Sequence, residues 1–339
     1  MSSKPLSTTP AGARRIRWSM PAGSTQCLAL LAILLIDGLV SPHFFSLHIQ
    51  DGRLFGSLID IINRGAPVAL LALGMTLVIA TGDIDLSVGA VMAIAGAVAA
   101  TLIDHNVALP LALGAALAAG VICGLWNGFL IAVLWMQPIV ATLILMVAGR
   151  GVAQLITEGQ IVTFDDATFG KIGHGALLWL PVPVIIAVAM LMLLWGLTRK
   201  TALGLFIEAA GINIRSAHNA GVNTRLVLMV VYMLCGLCAA VAGIIITADI
   251  QGADANNAGL WLELDAILAV VIGGGSLLGG RFHLLLSVVG ALILQGMNTG
   301  ILLSGFQPEF NLVVKAIVVL LVLMVQSPRI TLSKLWRRR

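Results

Sequence analysis

Residues 107–133 read VALPLALGAALAAGVICGLWNGFLIAV, 27 positions without one charged side chain. A bilayer's hydrocarbon core of roughly 30 Å is crossed by about 20 residues of helix, so this stretch is long enough to span it and too apolar to face water. Its glycines are patterned: Gly120, Gly124 and Gly128 recur every fourth residue and lay a flat stripe along one helix face, where a neighbouring backbone can approach closely. Outward from it, apolar runs bounded by charge or turn residues place further spans at 27–45, 57–81, 86–103, 138–156, 177–197, 226–248, 262–280, 284–303 and 312–326. The expected fold is all-α, a polytopic membrane bundle of about ten helices.

Composition agrees with that reading. Of 339 residues, 59% are hydrophobic and only 10% charged, a surface that water would not tolerate. The spans leave no room for a soluble domain of ordinary size. The net charge of +4 belongs to the ends of apolar runs and not to one patch, so it marks topology, and no nucleic-acid partner is expected. Residues 1–26 carry four basic and no acidic side chains, loop 199–225 four basic and one acidic, and the tail 327–339 five basic and none acidic. Loop 158–176 has three acids and one base, and 249–265 has four acids and no base. Lys and Arg concentrate on cytoplasmic loops, so both termini and 199–225 are expected inside a bacterial inner membrane, flanking a permease domain at 27–326. The basic start followed by the apolar run Cys27 to Ile36 is built like a signal peptide but lacks a small-x-small cleavage site, so a retained first span is expected. Trp18, Trp135, Trp179, Trp195, Trp261 and Trp336 fall near span ends as an interfacial belt would; Trp126 does not.

Several patterns have plain explanations. Gly275 to Phe282, GSLLGGRF, approaches a phosphate-binding loop in spacing, but Arg281 and Phe282 replace the Lys and hydroxyl that such a loop needs, and a tight turn accounts for the glycines. The six histidines have no paired spacing, so no metal or other cofactor is expected, and nothing supports an enzyme. Cys27, Cys123, Cys235 and Cys238 all lie in apolar segments and read as packing residues. Two stretches depart from simple spans: Thr81 to Gly89, TGDIDLSVG, and Trp261 to Gly280. Each begins with acids and small residues and turns apolar, which suggests two weakly related halves. Loop 199–225 is too long for a turn. It reads as a pair of short helices offering a surface to a soluble partner, or as an amphipathic helix resting on lipid.

The motif EAAGIN at 208–213, ending in Ala220-Gly221-Val222, resembles the coupling loop of ATP-binding-cassette importer permeases, in the branch that carries monosaccharides such as ribose. TGDIDLSVG at 81–89 is similar to that branch's TGGIDLSVG, with Asp83 in place of a glycine, and AVVIGGGSLLGG at 269–280 is similar to its AVVIGGxSxxGG. NRGAPVALLALGMTLVIATG from Asn63 and ADANNAGLWLELDAIL from Ala253 carry a closer likeness, to the permeases of galactofuranose importers. The resemblance implies a second, non-identical permease, a cytoplasmic ATPase and a periplasmic sugar-binding protein as partners. It also implies an ATPase contact at Gly204, Glu208, Gly211, Asn213 and Gly221, with Gly211 supplying the turn between two short helices.

Polar groups inside spans are costly and should face a cavity or one another. Thr142, Met146, Arg150 and Gln154 form a stripe on one span, Gln295, Asn298 and Thr299 share a face of another, and Trp126 and Asn127 lie within a third. Amides and an aromatic ring suit a neutral sugar; the same groups also suit interhelical hydrogen bonding, and both readings stand. Asp249, Asp254, Glu263 and Asp265 make an acidic outer loop that would attract a basic patch on a binding protein. The rival class, an ion-coupled secondary transporter, needs a carboxylate near the membrane centre, and Asp37 alone reads as lying within a span. A scaffold subunit without a pathway is the third class.

Overall fold

The structure, a computed structural model, describes residues 23–50, 53–177, 179–305, 310, 312–317 and 320. The helices are α1 (Ser24–Val40), α2 (Ser57–Ala80), α3 (Val88–Asp104), α4 (Leu109–Ala132), α5 (Pro138–Ile156), α6 (Ala167–His174), α7 (Val182–Lys200), α8 (Leu203–Ile212), α9 (Ile214–Asn219), α10 (Thr224–Ile250), α11 (Leu262–Ile272) and α12 (Leu284–Leu303). Residues 312–317 are also helical. Three short antiparallel ladders tie the connections: β1 (His48–Gln50) with β2 (Arg53–Phe55), β3 (Val162–Thr163) with β6 (Gly252–Ala253), and β4 (Ala176–Leu177) with β5 (Leu180–Pro181). Among the described residues, α2, α4, α5, α7, α10 and α12 are long and apolar enough to cross a membrane on their own.

The centre is α2 beside α10. Leu70, Leu73, Met75 and Leu77 of α2 and Val231, Tyr232 and Cys238 of α10 have no exposed surface. Cys235 and Cys238 pack against Gly74 of α2, as small core residues. Helices α4, α5 and α7 lie outside this core and turn their apolar side chains outward, as lipid-facing helices do: Ile122, Val147 and Met192 are exposed. The stripe on α4 works as its spacing predicts. A Cβ on Gly120, Gly124 or Gly128 would run into the α10 backbone near Gly236, Tyr232 and Met229, so the two helices meet backbone to backbone.

Six predicted spans match observed helices closely, and the others differ for local reasons. The span expected at 27–45 ends at Val40, because Ser41 precedes Pro42, and a residue before proline leaves the helical region. That expected at 177–197 begins only at Val182, after the β4–β5 turn. The span expected at 262–280 is corrected: α11 has 11 residues and stops at Ile272, where Gly273 to Gly275 end it. At 1.5 Å per residue it is about 16 Å long, roughly half a bilayer core. Most of the stretch expected at 312–326, and both terminal tails apart from residues 23–26, lie outside the described residues.

The packing of α4 on α10 yields a test. Gly124→Leu should push the helices apart and lower stability by about 1–3 kcal/mol, the usual cost of overpacking. Gly114→Leu, on the same helix with nothing within 4 Å of its added carbon, should leave the melting midpoint of the purified chain unchanged. Equal midpoints for both variants would remove the stripe from the fold.

Candidate functional site

Two stretches of the bundle are not helical although their neighbours are. Thr81 to Ser87 links α2 to α3, and Gly252 to Trp261 links α10 to α11. The second meets the start of α3, just past the first: a side chain on Gly89 would collide with the Gly259 carbonyl and the Glu263 carboxylate. Backbone that leaves the helical pattern needs other partners for its polar groups, and side chains supply some of them here.

The first stretch is held by α4 and α5. Ser87 donates to Asp85 Oδ1 from both its backbone nitrogen (2.9 Å) and its hydroxyl (2.6 Å). Asn127 Nδ2 donates to the Ser87 hydroxyl at 2.9 Å. Thr142 bonds the Pro138 carbonyl at 2.9 Å and reaches the Ile84 carbonyl at 3.4 Å. The second stretch is held by α5: Arg150 donates to the carbonyls of Ala255 (3.1 Å) and Ala258, and Gln154 Nε2 donates to Asn256 Oδ1 at 2.7 Å. Asn127, Thr142, Arg150 and Gln154 are thus engaged by the chain itself. Trp126 is exposed on the outer side of α4, away from them.

Gln295 and Asn298 stand elsewhere. With Asn63, Arg64, Asp249 and Asp265 they line a cavity of about 280 Å³ between α2, α7, α10, α11 and α12, near the lower size of small-molecule pockets, about 300 Å³. Asn298 Nδ2 reaches Gln295 Oε1 at 3.5 Å, and the side-chain oxygens Oδ1 of Asn298 and Asn63 are buried and, among the described residues, have no hydrogen-bond partner. Thr299 is half-buried on the same helix.

The acidic residues divide. Asp249 is exposed, and Asp254, outside the spanning helices, is held below its ordinary carboxylate range, first by the hydrogen bond from the Asn257 side chain. Glu263 and Asp265 are 5% and 8% exposed, and Asp265 pairs with Lys315 at 2.7 Å, so neither offers its charge to a docking partner. That corrects the expectation of a four-residue acidic face. Asp37 is buried on α1 against Gly300 of α12, but it is not alone inside the bundle: Asp85, at 2% exposure, lies deeper.

Loop 199–225 holds two short helices, α8 and α9, at the end of the bundle opposite α6. Gly204 is buried against the Thr198 carbonyl, Glu208 is half-buried, and Gly221 turns with φ 91°. The break between the helices is at Asn213, extended at φ −160° and ψ 101°, whose side chain caps α9 at the Ser216 nitrogen. Gly211 is inside α8, which corrects its expected place at the turn. It is glycine because the Ala80 carbonyl and Gly280 nitrogen, themselves hydrogen-bonded at 2.9 Å, press against it.

The family description "Branched-chain amino acid transport system / permease component" matches residues 57–323. The chain belongs to this permease family. It is 70% identical over 327 residues, 96% of this chain and 95% of the relative, to the galactofuranose transporter permease protein YtfT of Escherichia coli (strain K12). It is 39% identical to the fructose import permease protein FruF of Bifidobacterium longum (strain NCC 2705), across 89% of this chain and 87% of the relative. Identity to the ribose import permease protein RbsC of Escherichia coli (strain K12) is 38%, across 89% and 92%. No solved structure matches the chain.

As a permease component it is a multi-pass protein of the inner membrane and not itself an enzyme. Permease components of such importers work with an ATPase and a binding protein. A secondary transporter is not favoured. The residues that sequence reading passed over are Asp85, Ser87, Asn63, Arg64 and Lys315. The signal for the first two was the polar TGDIDLS run, noticed as an irregular span though not as a buried network. Nothing in sequence pairs Lys315 with Asp265, 50 residues apart.

Arg150→Met keeps the length of the side chain and removes its donors. It should free the 252–261 stretch, leaving two carbonyls short of their bonds, at a cost of about 1–3 kcal/mol for each buried group left unpaired. A cysteine placed at Ala258 should then react faster with a water-soluble maleimide than in the parent; an unchanged rate would show that the stretch does not depend on Arg150.

Proposed function

We propose that this chain is the membrane permease of an ATP-driven importer for a monosaccharide, galactofuranose or a sugar close to it. The carrying observation is the likeness, along nearly the full length of both chains, to a permease for that sugar. In this reading the α8–α9 end and both termini face the cytoplasm, as the basic residues of 1–26 and 199–225 favour. The chain crosses about ten times: the six long helices are joined by α1, α3, the stretch from 312, and α11 together with the non-helical segment 273–283 that carries the chain on to Ala80 and Gly211.

The ATPase docks on α8 and its surroundings, between Gly204 and Gly221. Leu205, Ile212 and Leu278 support this, because large apolar side chains so strongly exposed on and beside α8 leave a surface for a partner to cover. On the opposite end, Asp249 and Asp254 draw the sugar-loaded binding protein, and a second, non-identical permease completes the membrane unit. The sugar passes the cavity of Gln295 and Asn298, where unpartnered amide oxygens suit hydroxyl donors; Asn127, Thr142, Arg150 and Gln154 hold the wall of the pathway.

Reconstituted with its binding protein and ATPase, the transporter should take up galactofuranose in preference to the pyranose form of the same sugar. Gln295→Leu and Asn298→Leu should each lower uptake several-fold while subunits still co-purify; loss of assembly instead would make these amides glue. Gly211→Val, which drives a side chain into the Ala80 carbonyl, and Glu208→Lys should each reduce ATPase co-recovery or sugar-stimulated hydrolysis. Parental values for both would take α8 out of the coupling step.

A further inference from the structure

The cavity of Gln295 and Asn298 contains a cation that the chain itself does not use. Asn63, Arg64, Pro67 and Val68 reach it from one face of α2. Two carboxylates, Asp249 and Asp265, lie in the same wall, yet neither takes Arg64 as its partner. Asp265 is bound through both oxygens to Lys315, at 2.7 and 2.9 Å, and Asp249 is exposed near the end of α10. Among the described residues Arg64 has no ion pair and no hydrogen bond from its side chain, and it is exposed. Acceptors without donors stand beside it. Oδ1 of Asn63 and Oδ1 of Asn298 are buried and unpartnered among the described residues. Pro67, inside α2, has no N–H to give the Asn63 carbonyl four residues back, so that carbonyl also lacks its usual helical donor.

A free guanidinium next to free carbonyl acceptors is matched by a ligand whose groups both accept and donate, which is what a polyol offers. Arginine presents its N–H groups in a rigid planar fork and can hold two neighbouring oxygens at once. We infer that Arg64 is the specificity-determining residue of this cavity, donating to two adjacent hydroxyls of the sugar while Asn63 and Asn298 accept from others. This role depends on the pathway proposed above and names the residue that reads the cargo there. An anionic ligand would satisfy Arg64 but would face Asp249 and the bare amide oxygens, and a cationic one would face Arg64 itself, so a neutral sugar fits best. A single exposed charge also keeps the hold weak, as a site that must release its cargo requires.

The test measures uptake per ATP hydrolysed by the reconstituted full transporter, with the binding protein preloaded with galactofuranose or with each of its monodeoxy analogues. The parent should move the analogues that lack a hydroxyl of the gripped pair about tenfold less well than galactofuranose, the loss expected for a hydrogen bond to a charged group. Arg64→Met should lower galactofuranose transport about tenfold and level it with those analogues, a change of selectivity that a merely structural role would not produce. Arg64→Lys, which keeps the charge but not the fork, should retain part of the uptake and lose most of the discrimination. Parental selectivity in Arg64→Met would overturn the proposal. Failure of that variant to co-purify with its partners would overturn it too, by making Arg64 a structural residue. The series is run in parallel with ribose and its deoxy analogues. A parent that carries ribose and not galactofuranose would overturn the cargo proposed above, and the selectivity of Arg64→Met among the ribose analogues would then decide the role of Arg64.

Discussion

Water does not reach the hydrocarbon core of a bilayer, so each backbone N–H and C=O at that depth must be satisfied by the protein. Helices meet the requirement by themselves. Where the chain leaves the helix, at 81–87 and 252–261, side chains of α5 take over part of that duty. Asn127 reaches Ser87, and Arg150 reaches two carbonyls of the second stretch. This explains why α5, a peripheral helix, carries a polar stripe: one face serves unwound backbone and the other meets lipid. A helix with only that second duty would be apolar throughout.

The same two stretches link the ends of the bundle through contacts of backbone on backbone. Gly211 of α8 presses on Ala80, the last residue of α2 before the first stretch. That stretch leads to Gly89, which rests against Gly259 in the second. Contacts of this kind have little slack, because no side-chain rotamer can absorb a displacement, and packed interiors transmit strain. In the reading proposed above, movement of α8 by an ATPase would therefore reach Gly89 and Gly259 through a short path of close backbone contacts.

Particular residues show how far a linear reading goes. The every-fourth-residue glycines of α4 announced a close helix contact, and the contact exists, with α10 as its partner. The acids of 249–265 looked like one outer field, yet Glu263 and Asp265 turn inward, because α11 begins inside the protein and Lys315 waits there for Asp265. Gly211 was recognisable as a position that needs glycine, but the reason lies in Ala80 and Gly280, far from it in the chain, and the turn belongs to Asn213.

Sequence alone determined the solvent, the helical class, most helix limits and the family, because hydrophobic length, charge placement and short motifs are local properties that the bilayer reads directly. It also marked the polar residues inside the spans. Only the tertiary structure decided which of them are spent on unwound backbone and which face a cavity, and that α11 stops halfway. Those outcomes depend on partners from distant segments, since a buried polar group is worth what it meets, and what it meets is set by packing.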